Sequence, residues 1–320
     1  MLIFSVATSV NVFAQEVQMA TLQHGEQMTA YYGANALTSA LETAQKGDII
    51  SLSAGTFNVE TINKAVTIQG AGYVNDAEKN RHRTSLVGNG GNIAISLPEG
   101  DSGLTIEGIW TDSYFNLSGE LNQLTFKKCS KFNIYADESC AIGNFLIDQC
   151  DMGDLSAPLI HNGYFNNSIL SKIQIGDENS TWMADHSIIR EYTSSRMGTL
   201  KNCILNLNYY GYYNTTCENC VYWPNYTELV GSGNRGLTDD EHNAFFKEGP
   251  EVWEFNGEFN YELSNPSAYL GSDGTQVGIY GGETPFTDVP TNPQVTKKEI
   301  AKQASADGKL SVKITVEAQK

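Results

Sequence analysis

The residue types that could carry acid–base chemistry meet at one place in this sequence. Asp185 and His186 are adjacent within the segment Trp182-Met-Ala-Asp-His-Ser187. The cations nearby are Lys172, Arg190 and Arg196. A carboxylate or an imidazole beside a cation can move a proton in a transition state. Four of these side chains are therefore our catalytic candidates: Asp185, His186, Arg190 and Lys172.

A run of aromatic residues is the second group that could bind a ligand. It has the sequence Asn208-Tyr-Tyr-Gly-Tyr-Tyr-Asn214, and further aromatic residues follow at Tyr222, Trp223 and Tyr226. Aromatic faces with hydroxyl groups at their rim suit the apolar faces of sugars. We therefore predict glycan contacts from Tyr209, Tyr210, Tyr212, Tyr213 and Trp223. In the alternative, every second tyrosine points inward and the others shield the strand edges.

The six cysteines form a third group, and an even number could form disulfides in an exported protein. They are Cys129, Cys140, Cys150, Cys203, Cys217 and Cys220. The last two have the C-x-x-C spacing of redox and zinc sites, but no second pair accompanies them. Four of the six occupy one position of a repeat, which favours stacked free thiols and predicts no metal site. A disulfide between neighbouring turns is the alternative.

That repeat fills the middle of the chain and must position all of these residues. Each copy has an apolar residue, two polar residues and then a small buried type. The fourth positions lie 16 to 21 residues apart and are Ile109, Cys129, Cys150, Ser168, Ser187, Cys203 and Cys220. A unit this short cannot hold a helix pair, so it predicts one turn of a parallel β-solenoid with roughly nine or ten turns in all. The fourth positions then stack into one inward ladder, about 4.8 Å from turn to turn.

The residue before each ladder position is the predicted bend. These residues are Gly108, Lys128, Gln149, Asn167, His186, Asn202 and Asn219. Asparagine suits a bend because it tolerates left-handed backbone and hydrogen-bonds to nearby backbone groups. We also expect stacked bend side chains to bond to one another along the axis. Because Asp185 and His186 fall on repeat positions, a structural role competes with their catalytic one.

The front of the chain gives the clearest family signal. Residues 34–46 predict an amphipathic helix that caps the open end of the solenoid. Two strand-like segments follow, Gly47-Asp-Ile-Ile-Ser-Leu-Ser-Ala-Gly-Thr-Phe57 and Ile62-Asn-Lys-Ala-Val-Thr-Ile-Gln-Gly-Ala-Gly72. This order resembles the opening of right-handed parallel β-helix proteins of the pectin lyase-like superfamily. With the closing segment Gly271-Ser-Asp-Gly-Thr-Gln-Val-Gly-Ile-Tyr-Gly-Gly282, the resemblance covers residues 34–286 and is nearest to uncharacterised secreted members from Gram-negative bacteria of the Bacteroidetes type.

The resemblance implies enzymes of acidic polysaccharides as one functional class. Lyases of this superfamily use calcium held by carboxylates and an Arg or Lys base. The segment 182–187 is loosely similar to the Trp-Ile-Asp-His stretch of pectate lyases, with one residue inserted. The galacturonan hydrolase pattern matches less, because Asp239-Asp240 has no accompanying Gly-His-Gly or Arg-x-Lys. No spacing identifies calcium ligands, although exposed Asp and Asn oxygens leave Ca²⁺ open as a ligand.

The two ends of the chain differ from the repeat. Residues 1–14 are uncharged and predict a secretory signal cleaved after Ala14, although a basic start is missing; a buried first strand is the alternative. Residues 15–286 form the predicted β-helix domain, with residues 231–260 as a loop over its last turns. Residues 287–320 are a proline-containing appendage, in which Leu310-Ser-Val-Lys-Ile-Thr-Val316 alternates as one β-strand does.

The composition excludes further classes of protein. Thirty-seven acidic and 20 basic side chains give a formal charge of −17, so a nucleic acid is not an expected partner. No internal apolar run reaches the roughly 18 residues of a membrane span. We therefore expect a secreted or cell-surface protein that binds a polysaccharide or a cell-surface glycan, or has a structural role there, without catalysis. The alternative is a polysaccharide lyase or glycoside hydrolase acting near Asp185.

Overall fold

The computed structural model describes residues 18–78, 81–193, 198–207, 215–224, 229–254, 259–301, 303–305 and 307–317. They form an all-β protein with very little helix, organised as a parallel β-solenoid of about 8 turns. The repeat therefore predicts the fold correctly, with fewer turns than the roughly nine or ten expected from it. The segment 1–14, interpreted as a signal, lies outside the described residues. No helix within them is long and apolar enough to cross a membrane.

The elements are numbered in chain order. The first ones are β1 (Met19–His24), β2 (Gln27–Tyr32), α1 (Ala36–Thr43), β3 (Ile49–Leu52), β4 (Gly55–Asn58), β5 (Thr61–Ile62), β6 (Thr67–Gln69), β7 (Thr84–Val87), β8 (Asn92–Ile95), β9 (Thr105–Glu107) and β10 (Ile109–Trp110). The middle of the chain contains β11 (Tyr114–Leu117), β12 (Glu120–Asn122), β13 (Thr125–Lys127), β14 (Asn133–Ala136), β15 (Ala141–Asp148), β16 (Asp151–Ala157), β17 (Leu159–Asn166), β18 (Ile169–Ile175), β19 (Trp182–Asp185) and β20 (Ile188–Thr193). The last ones are β21 (Gly198–Lys201), β22 (Ile204–Asn206), β23 (Thr215–Glu218), β24 (Val221–Trp223), β25 (Gly231–Ser232), β26 (Arg235–Gly236), α2 (Asp239–Asn243), two 3₁₀ helices (Pro250–Glu254 and Pro266–Ala268), β27 (Gln294–Ile300) and β28 (Val312–Glu317).

Two long sheets run the length of the solenoid. Within the described residues, sheet A has thirteen strands in the order β2-β1-β3-β6-β9-β13-β15-β17-β19-β21-β23-β25, with β12 also pairing with β15. Sheet B has ten strands in the order β5-β8-β11-β14-β16-β18-β20-β22-β24-β26, and β4, β7 and β10 form a short third sheet. From β3 onward the sheet A pairs are parallel and in register, so equivalent side chains stack from turn to turn.

Rings stacked inside the solenoid fill much of its core. Phe126, Phe145, Phe165 and Trp182 follow one another with ring centroids 5.7 to 6.3 Å apart, and all are buried. Large residues alternate with small ones along the register, since Trp182 pairs with Gly198. A Cβ atom at residue 198 would lie 1.9 Å from the Trp182 ring. The glycine therefore makes room for the indole of the neighbouring turn.

The predicted bends lie between sheet A and sheet B, and they adopt left-handed backbone in seven successive turns. The φ angle is +67° at Gly108 and between +44° and +53° at the other six, which are Lys128, Gln149, Asn167, His186, Asn202 and Asn219. Left-handed backbone turns the chain sharply enough to pass from one sheet to the next. The fourth repeat position then points inward. All seven residues at this position are buried, as expected.

The bend side chains of five turns, at residues 128, 149, 167, 186 and 202, bond to a later segment of the chain. This segment is residues 271–292, which we call the strap, and it runs back along the row of bends. The bonds are Ser272 N to Asn202 Oδ1 (2.8 Å), Asn167 Nδ2 to Ile279 O and Gly281 O (both 2.8 Å), Thr287 N to Gln149 Oε1 (3.2 Å), and Lys128 Nζ to Val289 O (2.5 Å). Asn292 Nδ2 completes the series by donating to Gly70 O at 3.0 Å. The strap thus supplies hydrogen-bond partners to the bend side chains of five turns.

The first and the last described parts of the chain each contain an antiparallel hairpin. At the front, α1 lies within the predicted span 34–46, and the antiparallel hairpin β1–β2 extends sheet A beyond it. This hairpin was not among the predicted elements. In the C-terminal part of the chain the predicted strand is present as β28, and it pairs with a second strand, β27, in an antiparallel hairpin.

All six cysteines are free and buried. The backbone N–H of Cys129 donates to the Cys150 sulfur at 3.4 Å, and that of Cys150 donates to Ser168 Oγ at 3.0 Å. The inward ladder is therefore bonded from turn to turn through small polar side chains. Burial raises the pKa of the Cys140 thiol to about 12 and the pKa of Cys150 well above its usual value.

The buried thiols predict an all-or-none reaction with a thiol reagent. Because the reactive species is an accessible thiolate, the native protein should show no reaction with Ellman's reagent at neutral pH. After unfolding in guanidinium without a reductant, all six thiols should react. Four thiols or fewer under those conditions would indicate disulfides between turns and contradict the free ladder.

Two variants of Asn167 can separate the two contributions of this bend to stability, which are its backbone conformation and its hydrogen bonds to the strap. Asn167→Gly loses the two hydrogen bonds to the strap but still tolerates the left-handed backbone. Asn167→Ala loses the same two bonds and is also strained in that backbone conformation. We expect both variants to be destabilised, and Ala by about 1 kcal/mol more than Gly, because left-handed backbone costs a residue with a Cβ about 1–2 kcal/mol. Urea unfolding followed by circular dichroism measures the difference. Equal losses in the two variants would show that the backbone conformation contributes nothing.

Candidate functional site

The position immediately after the inward ladder forms a second ladder on the outside of sheet B. It contains Trp110, Ser130, Asp151, Ile169, Ile188, Ile204 and Val221, which pair in register from turn to turn. Its last four members are apolar and fully buried. Its first three are an indole, a hydroxyl and a carboxylate. The outer ladder therefore changes from polar to apolar along the axis, between Asp151 and Ile169.

The apolar half is covered by residues 237–254 and 259–270, which we call the cover. A second hydrophobic cluster joins the four aliphatic residues of the ladder to buried side chains of the cover and the strap: Leu237, Phe245, Phe246, Val252, Trp253, Tyr261, Leu263, Val277 and Ile279. The sequence predicts a loop over the last turns at 231–260, and the cover begins within that loop and continues beyond it. Burial of this aliphatic row, worth about 1.5–3 kcal/mol per side chain, holds the cover in place.

A cleft opens where the cover ends and the outer ladder becomes polar. Its volume is about 570 Å³, within the range of about 300–1,000 Å³ typical of small-molecule sites. The floor is formed by Trp110, Ser130, Asp151 and Ile169. The rest of the lining comes from the cover, the strap, Lys131 and residues 73, 74 and 83. We call it the Trp110 cleft.

Aromatic side chains dominate the walls of the Trp110 cleft. They are Tyr73, Phe259, Tyr261, Tyr280 and Phe286. Burial raises the pKa of Tyr280 to about 12, and burial together with Asp288 and Asp151 raises the pKa of Tyr73 well above its usual value. Both phenols are therefore neutral at physiological pH. The hydroxyl of Tyr280 donates to Asn260 Oδ1 at 3.1 Å.

Charged side chains in and below the cleft are largely paired. Asp151 forms an ion pair with Arg190, and Asp288 lies 3.1 Å from the buried Arg81. The guanidinium carbon of Arg83 lies 3.7 Å from the centroid of the Trp110 ring, as in a cation–π contact. Lys131 is exposed at the rim, in left-handed backbone with φ +68°. The cleft thus offers aromatic faces, phenol hydroxyls and cations, and its two carboxylates already have cationic partners.

The catalytic candidates at Asp185 and His186 lie beneath the strap. His186 is buried, with Nδ1 3.0 Å from Asp185 Oδ1 and Nε2 3.1 Å from Thr275 Oγ1. Asp185 Oδ1 also accepts a hydrogen bond of 3.0 Å from Asn202 Nδ2. Both side chains therefore contribute to the packing of the bends against the strap, which matches the structural alternative stated for these repeat positions.

The two cationic candidates lie on sheet B and have partners of their own. Lys172 Nζ is 3.7 Å from Asp154 and 3.3 Å from Glu191. Arg190 pairs with Asp151 and donates to the carbonyl of Met152 at 3.0 Å. These contacts hold them in different surroundings from Asp185 and His186. Arg190 instead supports the floor of the Trp110 cleft through Asp151.

Of the five predicted glycan contacts, only Trp223 lies within the described residues. Tyr209, Tyr210, Tyr212 and Tyr213 lie outside the described residues. Trp223 is half-buried and stacks on His242 of α2, with ring centroids 3.8 Å apart. His242 in turn stacks on Trp253 at 5.1 Å. One face of the Trp223 indole thus packs against His242 of the cover.

Two signals for the Trp110 cleft were present in the sequence. The residue after each ladder position changes from Trp, Ser and Asp to Ile, Ile, Ile and Val, and this change marks where a covering segment begins. The cluster Arg81-His82-Arg83 is the densest basic cluster, and two of its members reach the cleft region. The wall residues from the cover and the strap carried no such signal. As for a metal, the part of the chain that the structure describes holds no group of three or more His, Cys, Asp and Glu side chains arranged to bind one.

The stacked His242 predicts an acid-sensitive cover. Burial lowers the pKa of His242 below its usual value near 6.5, so the unfolded chain takes up a proton more readily than the folded one. Stability from this residue is complete above about pH 6.5 and is lost as the pH falls below it. His242→Phe keeps a ring between the two tryptophans and should reduce the fall in unfolding temperature between pH 7 and pH 5. The exposed His161→Gln serves as control, and an unchanged pH dependence in His242→Phe would contradict the assignment.

The chain was also compared with known proteins. A scan against protein-family models, a search of the curated proteins and a search of the solved structures find no match for the chain.

Proposed function

We propose that this protein is a non-catalytic, exported glycan-binding protein and that the Trp110 cleft is its contact site. The observation that carries the proposal is the lining of the cleft, where five aromatic residues surround a floor of indole, hydroxyl and carboxylate. Aromatic rings bind the apolar faces of sugars, and phenols and cations bind their hydroxyl groups. The uncharged segment 1–14 and the resemblance to secreted pectin lyase-like proteins support export.

The arrangement of charges favours binding over catalysis. A lyase or hydrolase needs a base or an acid that can reach the reacting atoms in an open groove. Asp185 and His186 are packed under the strap, and Lys172 and Arg190 are engaged in ion pairs. In the cleft itself, Asp151 and Asp288 each have an arginine partner. These contacts support a binding role for the cleft and a structural role for the bend residues.

Glycan binding is tested directly with a panel of neutral and uronate oligosaccharides, followed by calorimetric titration of the best one. Trp110→Ala removes the ring on the cleft floor and should weaken binding at least tenfold, about 1.4 kcal/mol. Lys131→Gly removes an exposed cation and keeps the left-handed backbone, so it should weaken binding several-fold without affecting folding. Tyr114→Ala is the matched control, because Tyr114 is an exposed aromatic residue of sheet B outside the cleft.

Two results would overturn the proposal. The first is equal affinity in Trp110→Ala, Lys131→Gly and Tyr114→Ala, which would place the glycan elsewhere. The second is unsaturated product from uronate polysaccharides with calcium that disappears in Asp185→Ala. That result would establish the lyase alternative in place of a binding protein.

A further inference from the structure

The strand at the front edge of sheet A, β2, has one edge without a neighbouring strand in the part of the chain that the structure describes. Within the described residues, β2 is the terminal strand and pairs only with β1, so one row of its backbone N–H and C=O groups has no strand beside it. All residues of β2 are exposed except Tyr31, which is half-buried. An exposed edge of this kind is a template for pairing with another strand.

Charge distinguishes β2 from the hairpin β27–β28. From Gln27 to Leu41 the sequence has no charged residue, in a chain whose net charge is −17. The hairpin β27–β28 also has open edges, but it carries Lys297, Lys298 and Glu299 on one strand and Lys313 and Glu317 on the other. Charged residues on an edge discourage pairing, and β2 lacks them. A contact between β2 of two copies therefore brings no like charges of these strands together.

The exposed side chains of β2 add an apolar surface to the open edge. Met28 is 70% exposed and Tyr32 is 67% exposed, and with Ala30 they alternate along one face of the strand. The other face carries Tyr31, whose hydroxyl lies 2.5 Å from Thr43 Oγ1 of α1. The helix therefore holds β2 in position from one side and leaves Met28 and Tyr32 uncovered.

We infer that β2 pairs antiparallel with β2 of a second copy of this chain, so that sheet A continues across a two-fold axis. A strand is its own complement when it pairs antiparallel across such an axis, and the contact closes after two copies. Length also favours this partner. The other terminal strands of the two long sheets, β25, β26 and β5, have only two residues each, against six in β2.

The test measures the mass of the full chain by sedimentation equilibrium over a range of concentrations. The wild type should form dimers. Ala30→Glu places a negative charge from each copy at the centre of the paired strands and should weaken the dimer at least tenfold. Val230→Glu is the matched control, because Val230 is also 70% exposed, lies away from β2 and gains the same charge.

A second variant tests the geometry independently of the mass. Ala30→Cys brings one exposed thiol from each copy close to the axis, while the six native thiols are buried. Mild oxidation should give a disulfide-linked dimer on non-reducing gels, and Val230→Cys should not. A wild type that stays monomeric at every concentration, larger open-ended assemblies, or a dimer that Ala30→Glu leaves intact would each overturn the inference.

Discussion

Everything in this structure depends on one constraint, which is that the chain must turn at the same place in every coil. Seven successive bends adopt left-handed backbone, and the residue after each of them points inward. This regular turn keeps the two long sheets in register and stacks equivalent side chains. The bends also leave polar side chains on the outside, and the strap binds them. A single backbone conformation, repeated at each turn, thus fixes both the inside of the solenoid and the path of its last segment.

The outer ladder shows how one repeat position can serve different roles in different turns. Its members pair from turn to turn between Trp110 and Val221, and their side chains differ. Aliphatic residues must leave water, so four turns are covered, whereas indole, hydroxyl and carboxylate groups can stay at a cleft. The boundary between Asp151 and Ile169 is therefore both the end of a hydrophobic contact and the beginning of the candidate site.

The sequence predicted what the repeat itself determines. The bends, the inward ladder and the free thiols all follow from the spacing of residues such as Cys129, Cys150 and Asn167, because periodic features need only local information. The strap and the walls of the Trp110 cleft are not periodic. They depend on contacts such as that of Asn292 with Gly70, which are 222 residues apart and leave no local pattern. The same reason explains why His186 resembled a catalytic residue in the sequence, since its partner Thr275 comes from the strap.

The strap also determines when the site can exist. Turns of a solenoid can stack as the chain is synthesised, each on the one before it, with short loops to close. The Trp110 cleft is different, because its floor comes from turns made early and its wall at Tyr280 and Phe286 comes from residues made near the end. Closing loops of this length is slow compared with stacking neighbouring turns. The cleft is thus assembled last, and a chain that has not been completed through the strap has a solenoid without a site.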